Sequence, residues 1–172
     1  MELEYVILVD ENDQEIGKME KQEAHEKALL HRAFSIFVFN EKNDLLLQQR
    51  ALGKYHSAGL WTNTCCSHQR VGETTEMAAH RRLKEEMGFD CELTIKTKFI
   101  YKAAFENGLT EHELDYILVG NYNGEVDVNM EEVESYKWVS LPWLIEDLKI
   151  NPNNYTAWFS IILEYYLESL ES

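Results

Sequence analysis

The chain has 172 residues, 45% of them apolar, enough for one domain with a real core. A formal net charge of -15 argues against a nucleic-acid partner. No apolar run is long enough to span a bilayer, and Met1-Glu2-Leu3-Glu4 lacks the basic region of a signal peptide, so a soluble cytoplasmic protein without a membrane partner is expected. The three cysteines are an odd number, and Cys65 and Cys66 are neighbours, a pattern of free thiols in a reducing compartment rather than of a disulfide framework.

Tyr5 to Val9 predicts a short apolar strand, Asp10 to Gly17 a polar turn, and Ile16 to Glu20 its returning partner. Lys21 to Leu30 reads as a short helix or a structured loop, with His25 and His31 near its end. Their spacing is not that of a helical ligand pair, so they can meet only through the fold. Arg32 to Phe39 is rich in phenylalanine and β-branched residues and predicts a strand, with Asn40 to Asp44 as a turn and Leu45 to Gln49 as the hairpin partner. Arg50 to Gly59 is a loop with Lys54 and Tyr55 near its middle. Trp61 to His68 then reads as a strand running into a loop, and it sets the Cys66 thiol and the His68 imidazole two residues apart.

Glu73 to Met87 is helical in pattern, with Thr74 and Thr75 at its start and Gly88 past its end. Met77, Leu83 and Met87 are expected to face inward, with Ala79 and His80 beside them. Arg82 stands one turn before Glu86, and Glu85 and Glu86 are about 100° apart on the helix; alone, these charges read as a solvated face. Cys91 to Phe105 predicts one or two strands, Asn107-Gly108 a tight turn, and Leu109 to Tyr122 the return. Alternation puts Glu111, Glu113 and Asp115 on one face of that strand and His112, Leu114, Tyr116 and Leu118 on the other. Tyr136 to Val139 is a further strand, Pro142 opens a helix through Lys149, and Tyr155 to Leu170 is a closing helix with Trp158, Ile162 and Tyr165 inward. There is no repeat, low-complexity segment or linker. Residues 1–172 therefore read as a single domain of α/β or α+β class, with mixed, largely antiparallel strands, a central helix and a C-terminal helix.

The chemistry concentrates on a few groups. His25, His31, His68, Glu111 and Glu113 would form a mixed nitrogen and oxygen site suited to Zn²⁺, Mn²⁺ or Fe²⁺ and less to Mg²⁺. No H-E-x-x-H spacing supports that set, so spacing alone is a weak signal. His56 is set aside as a loop residue, His80 as a helix residue, and His112 because it points away from Glu111 and Glu113. A buried cysteine is ordinarily a small hydrophobe, which suits Cys65. Cys66 becomes a useful acid or base only where nearby charges tune it.

Thr62-Asn63-Thr64-Cys65-Cys66-Ser67-His68, with Arg50-Ala51-Leu52 before it and Glu111-His112-Glu113 after it, resembles the type 1 isopentenyl-diphosphate isomerases. The resemblance runs from Glu20-Lys21 to Trp158. It implies a Nudix-like fold: mixed, largely antiparallel sheets flanked by a central Nudix-type helix and a C-terminal helix. The Nudix signature falls on Ser67, Glu73, Arg81, Arg82, Leu83, Glu85, Glu86, Gly88 and Phe89. Ser67 replaces its leading glycine. Arg82 replaces a glutamate that hydrolases of this fold use for Mg²⁺, as it does in the isomerases. Gln69 stands where many of these isomerases have proline.

What the resemblance implies is specific. It predicts an isomerase that interconverts isopentenyl and dimethylallyl diphosphate through a carbocation, for isoprenoid precursor biosynthesis. His25, His31, His68, Glu111 and Glu113 would bind one tight divalent metal, Mn²⁺ or Zn²⁺. Cys66 and Glu113 would exchange protons with the substrate, with Tyr101 beside Glu113. Lys21, Arg50, Lys54 and Arg82 would hold the diphosphate, Glu86 would help bind a Mg²⁺ bridging to it, and Trp158 would lie against the hydrocarbon. A small-molecule diphosphate is the expected partner, and a monomer or weak dimer the expected state. A Nudix hydrolase acting on a nucleoside diphosphate derivative would keep Glu85 and Glu86 but leave Cys66 and the three histidines without a task. A binding module that senses diphosphates would leave the acid and base unexplained.

Overall fold

The computed structural model describes residues 4–54 and 56–171; Met1, Glu2, Leu3, Tyr55 and Ser172 lie outside them. The described strands are β1 (Tyr5–Val9), β2 (Glu15–Glu20), β3 (His31–Phe39), β4 (Leu45–Arg50), β5 (Trp61–Thr62), β6 (Cys65–Ser67), β7 (Leu93–Ala104), β8 (Thr110–Asn121) and β9 (Val133–Val139). The helices are α1 (Lys21–Glu26), α2 (Thr75–Met87), α3 (Leu141–Ile150) and α4 (Phe159–Ser169). All strand pairs are antiparallel except β3 with β8, which run parallel from His31 beside Glu113 to Phe39 beside Asn121. The expected mixed, largely antiparallel architecture is the one observed.

Alternation along the strands divides the core into two layers. Phe34, Ile36, Val38, Leu46, Cys65 and Leu118 pack with Ala78, Ala79, Leu83 and Met87 of α2. Phe37, Phe39, Leu45, Leu47, Tyr101 and Ile117 pack with Trp158, Phe159, Ile162 and Tyr166 around α4, where Cys66 joins them. The neighbouring cysteines thus serve opposite layers. Helix α2 starts as expected, with the Thr74 hydroxyl accepting from Met77 N at 3.1 Å, and ends at left-handed Gly88, φ 73°. A Cβ at Gly88 would stand 2.1 Å from the Asp127 carbonyl oxygen, so both conformation and space demand glycine.

Four expectations need correction. The hairpin of β3 and β4 exists only at Phe39 beside Leu45. Beyond that pair β3 turns to β6 and β8, and β4 to β5 and β9. Segment 61–67 fills the split. Thr64 Oγ1 accepts from Val38 N at 3.0 Å and donates to Leu46 O at 2.7 Å, and Asn63 Nδ2 donates to Ile36 O at 2.9 Å. These side chains satisfy backbone groups that a hairpin ladder would have paired. Second, Met77 is exposed, because the buried face of α2 runs through Ala78, Ala79, Leu83, Glu86 and Met87. Third, α4 begins at Phe159, and Tyr166 faces the core while Tyr165 stays partly exposed, stacked on Phe99 at 4.0 Å. Fourth, His80 is not beside a core stripe; its Nδ1 pairs with Asp90 Oδ1 at 2.6 Å on the surface.

Candidate active site

Four strands build one wall, in the order β6, β3, β8, β7. Cys66 stands opposite Ser35, His31 beside Glu113, and Glu113 in turn beside Tyr101. Glu111 and Asp115 occupy the same face of β8, two residues either way. His68 follows β6 directly, and His25 is delivered from α1. The cap of α1 fixes that delivery: the Glu20 carboxylate accepts from Gln22 N and Glu23 N at 3.1 and 3.0 Å.

His25, His31, His68 and Glu111 bring ligand atoms within 4.8 Å of one another. Glu113 adjoins them, with Oε2 at 3.4 Å from His31 Nε2 and 3.0 Å from His68 Nε2. The donor chemistry fits a divalent metal. His31 Nδ1 donates to Leu29 O at 2.9 Å, which fixes the tautomer and turns the Nε2 lone pair toward the cluster. Among the described residues His31 Nε2 and His25 Nδ1 are buried without hydrogen-bond partners, so both are available as ligand nitrogens. Burial and the nearby His31 ring hold His68 well below the usual imidazole range, so it offers a lone pair too. Burial raises the Glu113 carboxyl, but the adjacent His31 ring and the bond from Tyr101 outweigh that and hold it down at about 2. Burial, then the charge of Glu113, pushes Asp115 well above the carboxylate range.

Cys66 packs on the α4 layer and makes polar contacts beside it. Its Sγ donates to Asn63 Oδ1 at 2.9 Å and lies 3.5 Å from Ser35 Oγ. Burial, then nearby Asp115, pushes the thiol pKa up strongly. Cys65 instead reaches Glu86 Oε2 at 3.5 Å on the α2 side.

A cavity of about 500 Å³ opens onto these groups and takes walls from both layers: Cys66, Tyr101, Glu113 and Trp158 from one, Gln48 and Glu86 from the other. Arg50, Lys54, Lys21 and Arg82 line it as well. Each base is engaged. Arg82 donates to Glu85 and Glu86, both at 2.7 Å; Lys54 pairs with Glu132; Lys21 pairs with Glu4 at 3.2 Å. Arg50 donates to His56 O at 3.2 Å and its guanidinium lies 5.5 Å from the Trp158 ring centre. Glu86 is buried, its Oε1 accepting from Gln48 Nε2 at 2.9 Å.

The sequence reading missed three contributors. His56, set aside as a loop residue, is buried in the cavity wall, 5.9 Å from Trp158 and 4.6 Å from Phe105 between ring centres. Burial and the charge of Arg50 lower it to about 3, so it is a neutral ring against the indole. Gln48 and Asn63 have no site role in the sequence reading. For Asn63 a signal existed: it stands between two threonines in an otherwise apolar strand approach, a place where an amide must find partners.

The chain matches the NUDIX domain family over residues 29–159. It is 53% identical over 160 residues to "Isopentenyl-diphosphate Delta-isomerase 2" of Photorhabdus laumondii, covering 93% of this chain and 90% of that protein. It is 51% identical to "Isopentenyl-diphosphate Delta-isomerase" of Burkholderia multivorans, covering 94% and 92%. Among solved structures it is similar in fold to DR0079 of Deinococcus radiodurans, with a TM-score of 0.72 at 17% identity over 86% of this chain and 90% of that one.

Proposed function

On the premise that the chain belongs to the Nudix family and, within it, to the isopentenyl-diphosphate Delta-isomerases, we propose how its residues divide the work. The enzyme interconverts isopentenyl diphosphate and dimethylallyl diphosphate. The reaction adds a proton to the terminal alkene carbon, leaving a tertiary cation. It then removes a proton from the carbon nearer the diphosphate, whose C–H pair becomes the new double bond. One acid and one base suffice, and no redox partner is needed.

One observation supports the assignment of roles: Cys66 and Glu113 line a single cavity with Trp158. In our reading Cys66 and Glu113 are the proton-transfer pair, and Tyr101, which donates to Glu113, tunes and orients that carboxylate. The cation between them must be kept from water. Trp158 and His56, with Phe105 packed behind them, supply ring faces rather than solvent, and an indole stabilises a nearby cation. Lys21, Arg50, Lys54 and Arg82 take the diphosphate. They do so by leaving the carboxylates and the carbonyl that hold them now, so the site arrives with its cations already in place.

A divalent metal suits the histidine and carboxylate cluster. We assign His25, His31, His68, Glu111 and Glu113 to one tightly held ion, Mn²⁺ or Zn²⁺, which when bound supplies a fixed positive charge beside Glu113. We assign Glu86 to a Mg²⁺ that arrives with the diphosphate. Glu86 Oε2 is covered by Arg82 at 2.7 Å, and a diphosphate competing for that arginine would uncover it. The reading also takes the chain as a single catalytic domain, a cytoplasmic monomer or weak dimer without nucleic-acid or membrane partners. Among the described residues no helix is long and apolar enough to cross a membrane.

Incubation with isopentenyl diphosphate and divalent metal should yield dimethylallyl diphosphate and no free phosphate. Phosphate release without the allylic product would overturn the reading in favour of a hydrolase. Trp158 gives a narrower test. Loss of an aromatic face from a desolvated cation costs about 2 kcal/mol, or roughly 30-fold in rate. Trp158→Phe should therefore keep part of the turnover and Trp158→Ala lose most of it. Trp158 is also buried in the α4 layer, so thermal unfolding must be measured alongside. If Trp158→Ala melts early while its folded fraction turns over normally, the indole serves packing alone.

A further inference from the structure

Behind Cys66 lies a second polar pair that the proton chemistry above does not use. Ser35 and Asp115 are both fully buried. Ser35 Oγ donates to Asp115 Oδ1 at 3.0 Å and sits 3.5 Å from Cys66 Sγ. Among the described residues Asp115 Oδ2 is buried with no hydrogen-bond partner. A half-satisfied carboxyl in a core is expensive, and an apolar residue of similar size would serve packing better. Its place is set by pairing: Cys66 is directly opposite Ser35 on one side of β3, and β8 carries Asp115 along the other.

We infer that Ser35 and Asp115 are positioning residues for the Cys66 sulfur, with Asp115 acting through Ser35. The proposal rests on the reading of Cys66 as a proton-transfer residue. Among the described residues the sulfur has two hydrogen-bonding oxygen neighbours, and both are fixed. Asn63 cannot turn, because its Nδ2 donates to Ile36 O at 2.9 Å and Cys65 O at 3.1 Å while its Oδ1 accepts from Thr62 Oγ1 at 2.9 Å. Ser35 has a rotatable hydroxyl, and only the bond to Asp115 stops it. With its hydrogen committed there, Ser35 Oγ presents lone pairs to the thiol, as Asn63 Oδ1 does. The S–H vector is thereby confined between two acceptors. Cysteine has one side-chain torsion that places sulfur, and without these anchors it can turn away from the cavity. Orientation at this scale matters, since a misplacement of about 1 Å can cost roughly 10²-fold in rate.

The test compares Ser35→Ala, Ser35→Cys and Asp115→Asn by steady-state kinetics, by thermal unfolding, and in a Cys66→Ala background. Ser35→Ala should lower kcat by about 10- to 100-fold while KM for isopentenyl diphosphate stays within about twofold. Ser35→Cys, close in volume and still a weak donor, should recover part of that loss. Asp115→Asn combined with Ser35→Ala should be no slower than Ser35→Ala alone, because one acts through the other. In the Cys66→Ala background Ser35→Ala should change nothing further. Should Ser35→Ala turn over like the wild type, or slow the Cys66→Ala enzyme by the same factor, the positioning role is wrong. Should Asp115→Asn and Ser35→Ala multiply, Asp115 does not act through Ser35. Near-normal activity of Cys66→Ala itself would instead mean that the role of Cys66 had failed.

Discussion

Cys66→Ala is expected to lower turnover by about 10²- to 10⁴-fold, the usual loss when a positioned acid or base is removed. Substrate should still bind, because the bases proposed for the diphosphate come from other elements. Cys65→Ala is the control within the same strand. Its sulfur faces α2 and touches Glu86, so it should cost far less turnover than its neighbour. Wild-type enzyme in D₂O should place deuterium in the allylic product and release no phosphate. A hydrolase would release phosphate, leave carbon unlabelled and ignore Cys66. Near-normal isomerisation by Cys66→Ala would remove the thiol from the mechanism altogether.

His68→Ala should lose tightly bound metal and activity together. His68 offers one of four ligand atoms clustered within 4.8 Å, and its Nε2 is also the 3.0 Å neighbour of Glu113. Removing it deletes a ligand and frees a carboxylate proposed for catalysis. Affinity should fall by more than the roughly 10- to 100-fold that follows loss of a mere outer partner. Metal analysis after dialysis reads this directly, with about one ion per chain retained by the wild type. An active wild type that retains none would sink the five-ligand assignment. Mg²⁺ should behave otherwise and be held well only when diphosphate is present, since Glu86 alone is assigned to it.

Much of this was legible in the sequence, and the reasons are local. The Asn107-Gly108 turn has φ values of 64° and 71°, which few residue pairs tolerate, so β7 and β8 could be paired by inspection. Alternation on β8 then placed Glu111, Glu113 and Asp115 together. Gly88 and Thr74 fixed the ends of α2. The failures are tertiary. Asn40 to Asp44 is a good turn and Leu45 to Gln49 a good strand, yet nothing local says that their ladder stops after one pair. That depends on Thr64 and Asn63 arriving from a distance. Tyr165 and Tyr166 are equally plausible inward residues until the helix start is known, and a start at Phe159 rather than Tyr155 decides between them. His56 was overlooked because its loop follows no period. Only packing against Phe105 and Trp158 brings it to the cavity.

The single-face arrangement of β6, β3, β8 and β7 makes error in this enzyme discontinuous. Side chains on a strand alternate, so sliding β8 by one step against β3 exchanges its two faces completely. Glu111, Glu113 and Asp115 would turn together toward α2, and His112, Leu114 and Tyr116 would face the histidines instead. No intermediate pairing retains half the carboxylates. A misassembled molecule is therefore an inert one rather than a slow one, and the specific activity of a refolded sample becomes a headcount of chains whose central strands found the right register.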